Sequence, residues 1–158
     1  MEVPALLAAA PDAVPAESEP TRREAILVVD DEESFRTVVV RQLRNAGFAT
    51  IEAHDGSDAI RKFAEYGEEI TAVLLDLVMP NTSGGETLAM LRRSNPTLPV
   101  VLTSGYSVHD AVSLTETERG VRFLQKPFTA AELTTELRHV ISEPLPKHRH
   151  STPPKPLL

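Results

Sequence analysis

The stretch ILVVDDEES, residues 26–34, runs four apolar residues into four consecutive acids, Asp30, Asp31, Glu32 and Glu33. Carboxylates about 4 Å apart repel by roughly 4 kcal/mol per pair at an effective dielectric near 20. A chain that concentrates them has a cation to bind or a helix end to cap. Other polar residues close later apolar runs: Asp76 in AVLLDL, Thr103 and Ser104 in PVVLTS, and Lys126 in VRFLQK. If folding gathers these run ends, Asp30, Asp31 and Asp76 place three carboxylates together, and a divalent cation is the physical expectation. Hard oxygen donors in small number suit Mg²⁺. Glu32 and Glu33 answer the other need. They fall in the first turn of a helical segment, where negative charge complements the macrodipole, and are read as helix-start residues instead of ligands.

Such gathering needs a scaffold that brings distant run ends to one place. Five short apolar runs read as strands: AILVVD (25–30), ATIEA (49–53), AVLLDL (72–77), PVVLTS (99–104) and VRFLQK (121–126). Helix-period segments lie between and after them. Phe35, Val38, Val39 and Leu43 share one helical face, as do Ala59, Ile60, Phe63 and Ala64, and later Leu133, Leu137, Val140 and Ile141. Capping-box spacing marks three helix starts, Ser83 with Glu86, Ser107 with Asp110, and Thr129 with Glu132. Strict βα alternation with short connections implies an α/β fold, a doubly wound five-stranded parallel sheet. The first, third and fourth runs are continuously apolar and suit central strands, whereas the second and fifth alternate and suit edges, which predicts the order 2-1-3-4-5. Ligands of such sheets bind at the carboxyl ends of the central strands, where the acids, hydroxyls and lysine stand.

Composition narrows the class. The chain has 158 residues, 41% of them apolar, enough for one domain with a real core. Nine of its 13 prolines fall in the first 20 and last 15 residues. Residues 25–142 are therefore read as the folded body, 1–24 as a disordered Ala/Pro-rich linker and 143–158 as a disordered Pro-rich basic tail. The apolar stretch VPALLAAA lacks preceding basic residues and does not fit a signal peptide. No apolar run is long enough to cross a membrane, so none is expected as a partner. A net charge of −7 argues against nucleic acid binding by the folded body. The absence of Cys removes disulfides and thiolate metal sites and is compatible with a cytoplasmic protein.

The segments VVDDEES, LLDLVMPNTSGGE, VVLTSGY and FLQKPF, taken in order, resemble the receiver domain of two-component response regulators, a flavodoxin-like fold, over residues 25–142. The resemblance implies that Asp30 and Asp31 organise Mg²⁺, with Asp31 a direct ligand, that Asp76 is the phosphoacceptor, and that the backbone carbonyl of Val78 completes the coordination. Thr103 and Ser104 both qualify as the switch hydroxyl on the residues alone. The family places that hydroxyl directly before a small residue and 22 positions ahead of the lysine, which selects Ser104. Lys126 matches the lysine that contacts the phosphoryl group, Pro127 follows it in a bond that is typically cis in the family, and Phe123 matches the aromatic that turns on activation. The implied function is Mg²⁺-dependent transfer of a phosphoryl group to Asp76 from a histidine kinase or histidine phosphotransfer protein. The surface around the fourth helix, fifth strand and fifth helix would then switch its binding to a downstream protein.

Rival readings are weaker. An Asp-nucleophile hydrolase needs a second acid two residues after the nucleophile, where this chain has Val78. A degenerate receiver used only for docking would not need Asp30, Asp31, Asp76, Ser104 and Lys126 together. Neither G-x-x-x-x-G-K-[ST] nor G-x-G-x-x-G occurs. The 16 residues after Ser142 are too few for a DNA-binding helical domain, so no output domain is expected within the chain. Met79 and Pro80 are read as loop geometry, Gly84 and Gly85 as the tight entry to the third helix, and His54, His109 and His139, with no acidic or histidine partners at ligand spacing, as ordinary helix or loop residues. Val78 and Tyr106 flank the site and offer only a phenol to orient water, which predicts a long-lived phosphoryl group.

Overall fold

The structure is a computed structural model, and the residues it describes are 24–105 and 108–143. The linker 1–23, the tail 144–158 and the Ser107 cap lie outside the described residues. Along the chain run β1 (Ala25–Val29), α1 (Glu33–Asn45), β2 (Ala49–Ala53), α2 (Gly56–Tyr66), β3 (Ile70–Asp76), α3 (Gly84–Ser94), β4 (Val100–Ser104), α4 (Val108–Thr117), β5 (Val121–Gln125) and α5 (Ala130–Ser142). The strands form one parallel sheet in the order β2-β1-β3-β4-β5, as expected. Every residue of β1 and β4 is buried, while β2 and β5 are mostly half-buried edges.

Strand side chains alternate between two faces, and each face has its own core. Leu27, Val29, Leu75 and Leu102 pack with Phe63 of α2 and with Leu88 and Leu91 of α3. Ile26, Val28, Leu74 and Val101 pack on the opposite face with Val39 and Leu43 of α1 and Leu133 and Leu137 of α5. Three details differ from the sequence reading. Val40 is buried and Val38 exposed, because they flank Val39 on opposite sides of α1 and the side toward the sheet is that of Val40. Ala64 is exposed beside buried Phe63. Met79 is not mere loop geometry, since its side chain is buried in the core of the α2–α3 face. Among the described residues, no helix is long and apolar enough to cross a membrane.

The helix starts are held by side chains. Thr129 and Glu132 form both arms of a capping box on α5, and the Ser83 hydroxyl accepts from the Glu86 N–H on α3. Asp55 caps α2 by accepting from the Asp58 N–H at 2.7 Å. Buried Asp58 accepts in turn from the His54 N–H at 3.1 Å and from the Arg61 guanidinium. His54 pairs with both acids, with Nδ1 3.1 Å from Asp55 and Nε2 3.7 Å from Asp58. Both acids face the start of α2, where His54 enters the turn.

Burial works to raise the Asp58 pKa, but the bonds from Arg61 and His54, with the charges of both residues, outweigh it and hold the carboxyl below its ordinary value. The stability this provides is present above the unfolded-state value of about 3.9 and is lost as pH falls through the folded value. Asp58→Asn is therefore expected to cost about 1 kcal/mol in urea unfolding at pH 7. The gap between the two proteins should close as the titration is carried into acid.

Candidate functional site

The carboxyl ends of β1, β3, β4 and β5 meet on one edge of the sheet. Asp30 follows β1 directly, is buried, and is tied to β2 by donating its N–H to the Ala53 carbonyl at 3.2 Å. Its Oδ1 accepts from the Glu32 N–H at 2.9 Å, which closes the turn into α1. Glu33 lies in the first turn of α1, as read from the sequence, while Glu32 stands one place earlier as the N-cap residue, its side chain making no cap bond. Asp31 is exposed beside the site. Asp76 is the last residue of β3 and is buried, with Oδ1 accepting from the Val78 N–H at 3.1 Å. One carboxylate oxygen from each of Asp30, Asp31 and Asp76 lies within 4.8 Å of the other two.

Lys126 follows β5 and reaches back over the sheet edge. Its Nζ is 2.8 Å from Asp30 Oδ2 and 3.5 Å from Asp76 Oδ2. Its N–H donates to the Ser104 carbonyl at 3.0 Å, so the ends of β4 and β5 are joined at the site. The Lys126–Pro127 bond is cis. Ser104 and Thr103 are both buried at the end of β4, and the Thr103 carbonyl accepts from the Leu77 N–H at 2.9 Å. Phe123 on β5 is half-buried, opposite Leu102, against the α2–α3 core. Tyr106 lies outside the described residues.

Among the described residues one ammonium faces three carboxylates, so the cluster keeps a negative charge. Burial, reinforced by the neighbouring charge of Asp30, pushes the Asp76 pKa above the usual carboxylate value against the pull of the Val78 N–H and Lys126. The ionised form of Asp76 is thus less favoured in the folded protein than in water. Three carboxylate oxygens within 4.8 Å of one another are the hard donors that a divalent cation such as Mg²⁺ takes.

Two residues of the site were not singled out from the sequence. Arg36 on α1 donates from Nη1 to the Asp30 carbonyl at 2.7 Å and pairs through Nε with Glu52 of β2 at 3.1 Å. Its target is a backbone atom, which no residue spacing announces. Phe35 reads as a core-face residue, and it does pack against the α1–α5 core, but the Lys126 ammonium also stands 4.0 Å from its ring centroid.

Known proteins resemble this chain in sequence and fold. The family model described as response regulator receiver domain matches residues 26–138. The chain is 30% identical over 118 residues to the sensor kinase CckA of Brucella abortus (strain 2308), a match covering 75% of this chain and 12% of that protein. It is 34% identical over 117 residues to the transcriptional regulatory protein TrcR of Mycobacterium tuberculosis (strain ATCC 25618 / H37Rv), covering 73% of this chain and 44% of the relative. The chain thus spans half or less of these relatives. Among solved structures, a response regulator receiver domain protein from Clostridium thermocellum superposes with a TM-score of 0.70 at 28% identity, over 75% of this chain and 94% of that one. The receiver domain of the hybrid histidine kinase CckA gives 0.64 at 32% identity, over 74% and 98%. A sheet in the receiver order, acids and lysine meeting at its carboxyl edge, and a family match over most of the described residues agree: the chain belongs to the response regulator receiver domains of two-component systems.

Proposed function

We propose that this domain, within residues 25–142, accepts a phosphoryl group on Asp76 from a phosphohistidine of a histidine kinase or histidine phosphotransfer protein, in the cytoplasm. The observation that supports it most is the close set of Asp30, Asp31 and Asp76 oxygens with the Lys126 ammonium between two of them. Asp30, Asp31, Asp76 and the Val78 backbone carbonyl would hold Mg²⁺, which when bound supplies positive charge to the phosphoryl oxygens. An Asp76 oxygen attacks phosphorus in line. The O–P bond forms as the P–N bond breaks, and the imidazole leaves with the electron pair. The Val78 N–H holds Asp76 in orientation, and Lys126 offers its ammonium to a second phosphoryl oxygen. Ser104 then bonds the phosphoryl group, and the space it vacates admits Phe123, with Tyr106 as a further switch residue. That movement alters the surface of α4, β5 and α5, where a downstream protein binds.

Incubation with Mg²⁺ and a small-molecule phosphodonor tests this reading by mass spectrometry. A stable gain of one phosphoryl group supports it. Repeated turnover with release of phosphate would indicate a phosphohydrolase, and no gain would indicate a docking module.

The lifetime of the phosphoryl group follows from the flanking side chains. Val78 is exposed beside Asp76 and cannot orient an attacking water. Val78→Asn supplies an amide that can, and is expected to speed loss of the phosphoryl group on the order of ten-fold, about 1.4 kcal/mol of barrier. An unchanged decay of the phosphorylated protein would count against water positioning at residue 78.

A further inference from the structure

We infer that Phe35 is a positioning residue for the reaction proposed above, on which this inference rests: its ring seats the Lys126 ammonium over Asp30 and Asp76. The ammonium stands 4.0 Å from the Phe35 ring centroid, on the electron-rich face. The ring is braced by Phe128 in an edge-to-face contact, with centroids 5.6 Å apart and planes at 82°. Lys126 and Phe128 flank Pro127, so one short segment after β5 both delivers the cation and grips the ring that receives it. Phe35 is half-buried on the first turns of α1, five residues after Asp30, and joins the helix that starts at the acidic pair to the segment that carries the lysine.

The geometry suits a cation that must change partners. Lys126 makes one good hydrogen bond, 2.8 Å to Asp30, and a contact with Asp76 at 3.5 Å, the outer limit of a hydrogen bond. Attraction to a ring face has no single donor direction. The ammonium can therefore pivot from Asp30 toward an oxygen on Asp76 without leaving its seat. An aliphatic side chain of similar size would fill the same space in the core but offer the ammonium nothing. Lys126 would then rest on Asp30 alone, away from the reacting oxygens.

The test uses the full chain and three variants, Phe35→Leu, Phe35→Tyr and Phe128→Leu. Nuclear magnetic resonance reads the Lys126 Cε protons, assigned by their loss in Lys126→Arg. They should be shifted upfield by the ring in the wild type and in Phe35→Tyr, and should return to ordinary lysine values in Phe35→Leu. Phosphorylation by a small phosphodonor at saturating Mg²⁺ should slow on the order of five-fold in Phe35→Leu, recover in Phe35→Tyr, and slow by less in Phe128→Leu. Unshifted lysine protons in the wild type overturn the proposal, as does an unchanged rate in Phe35→Leu once the shift is gone. If Phe35→Leu does not fold, Phe128→Leu decides by the same two readings. A wild-type protein that takes no phosphoryl group overturns the function proposed above, and the lysine shifts then judge the seat alone.

Discussion

Asp76→Asn is expected to abolish the phosphoryl mass gain while raising the midpoint of thermal unfolding in the absence of divalent cations. The amide has nearly the shape of the carboxylate and can still accept the Val78 N–H, and Lys126 keeps its 2.8 Å contact with Asp30, so the local frame survives. What disappears is a buried negative charge beside two others. Burial and the Asp30 charge both disfavour its ionised form, and the single ammonium is already shared. Removing it relieves repulsion that the native fold otherwise bears. Mg²⁺ should reverse the comparison. At one hundred times its dissociation constant a ligand that binds only the folded state adds about 2.7 kcal/mol. The wild type should gain on that scale, and the variant, with one ligand lost, much less. Mass spectrometry with calorimetry in chelator and in Mg²⁺ checks both halves. A phosphoryl group retained by the variant would move the acceptor away from Asp76, and a variant less stable than the wild type in chelator would mean that the three acids do not strain the free protein.

Gly84→Ala should damage stability and site together. Gly84 opens α3 just after the end of β3, and its N–H donates to the Leu77 carbonyl at 3.1 Å. A Cβ added there would stand 2.6 Å from the Asp76 carbonyl oxygen and 2.6 Å from the Leu77 Cα. Both obstacles are backbone, so neither can rotate away, and the end of β3 must shift or α3 must back off. Overpacking of this kind costs about 1–3 kcal/mol, occasionally more. For a domain of this size that is a fall in Tm of roughly 4 °C for each kcal/mol. Because the displaced backbone carries the Asp76 carboxylate, Mg²⁺ binding and phosphorylation should weaken with it. Gly85→Ala is the control, since its nearest obstacles are side-chain atoms at 3.9 Å. Equal stability of the two variants would show that the close approach at Gly84 is not limiting.

The parts of this protein legible in its residues are those governed by short-range pattern. Continuous apolar runs in β1, β3 and β4 marked central strands because a strand covered on both faces has no polar side to show. Thr129 with Glu132 marked a helix start because a cap and its return bond span three residues. The strand order followed from these, and with it the gathering of Asp30, Asp76, Ser104 and Lys126 at one edge. The readings failed where one turn of helix or one loop had a choice. Val38 and Val40 are equally apolar, and only the face that α1 turns to the sheet separates them. Met79 looked like punctuation after a strand until the loop folded it into the core.

Charge pattern and periodicity thus specified the sheet, its order and the carboxylates it would crowd together, because each depends on neighbours a few residues apart. The partners of those groups came from packing. Lys126 meets Asp30 across 96 residues, Arg36 finds a backbone carbonyl, and Phe35 places its ring under an ammonium. Such contacts depend on the stagger of β5 against β4 and on the seating of α1, which set distances of a few ångströms that no spacing along the chain encodes.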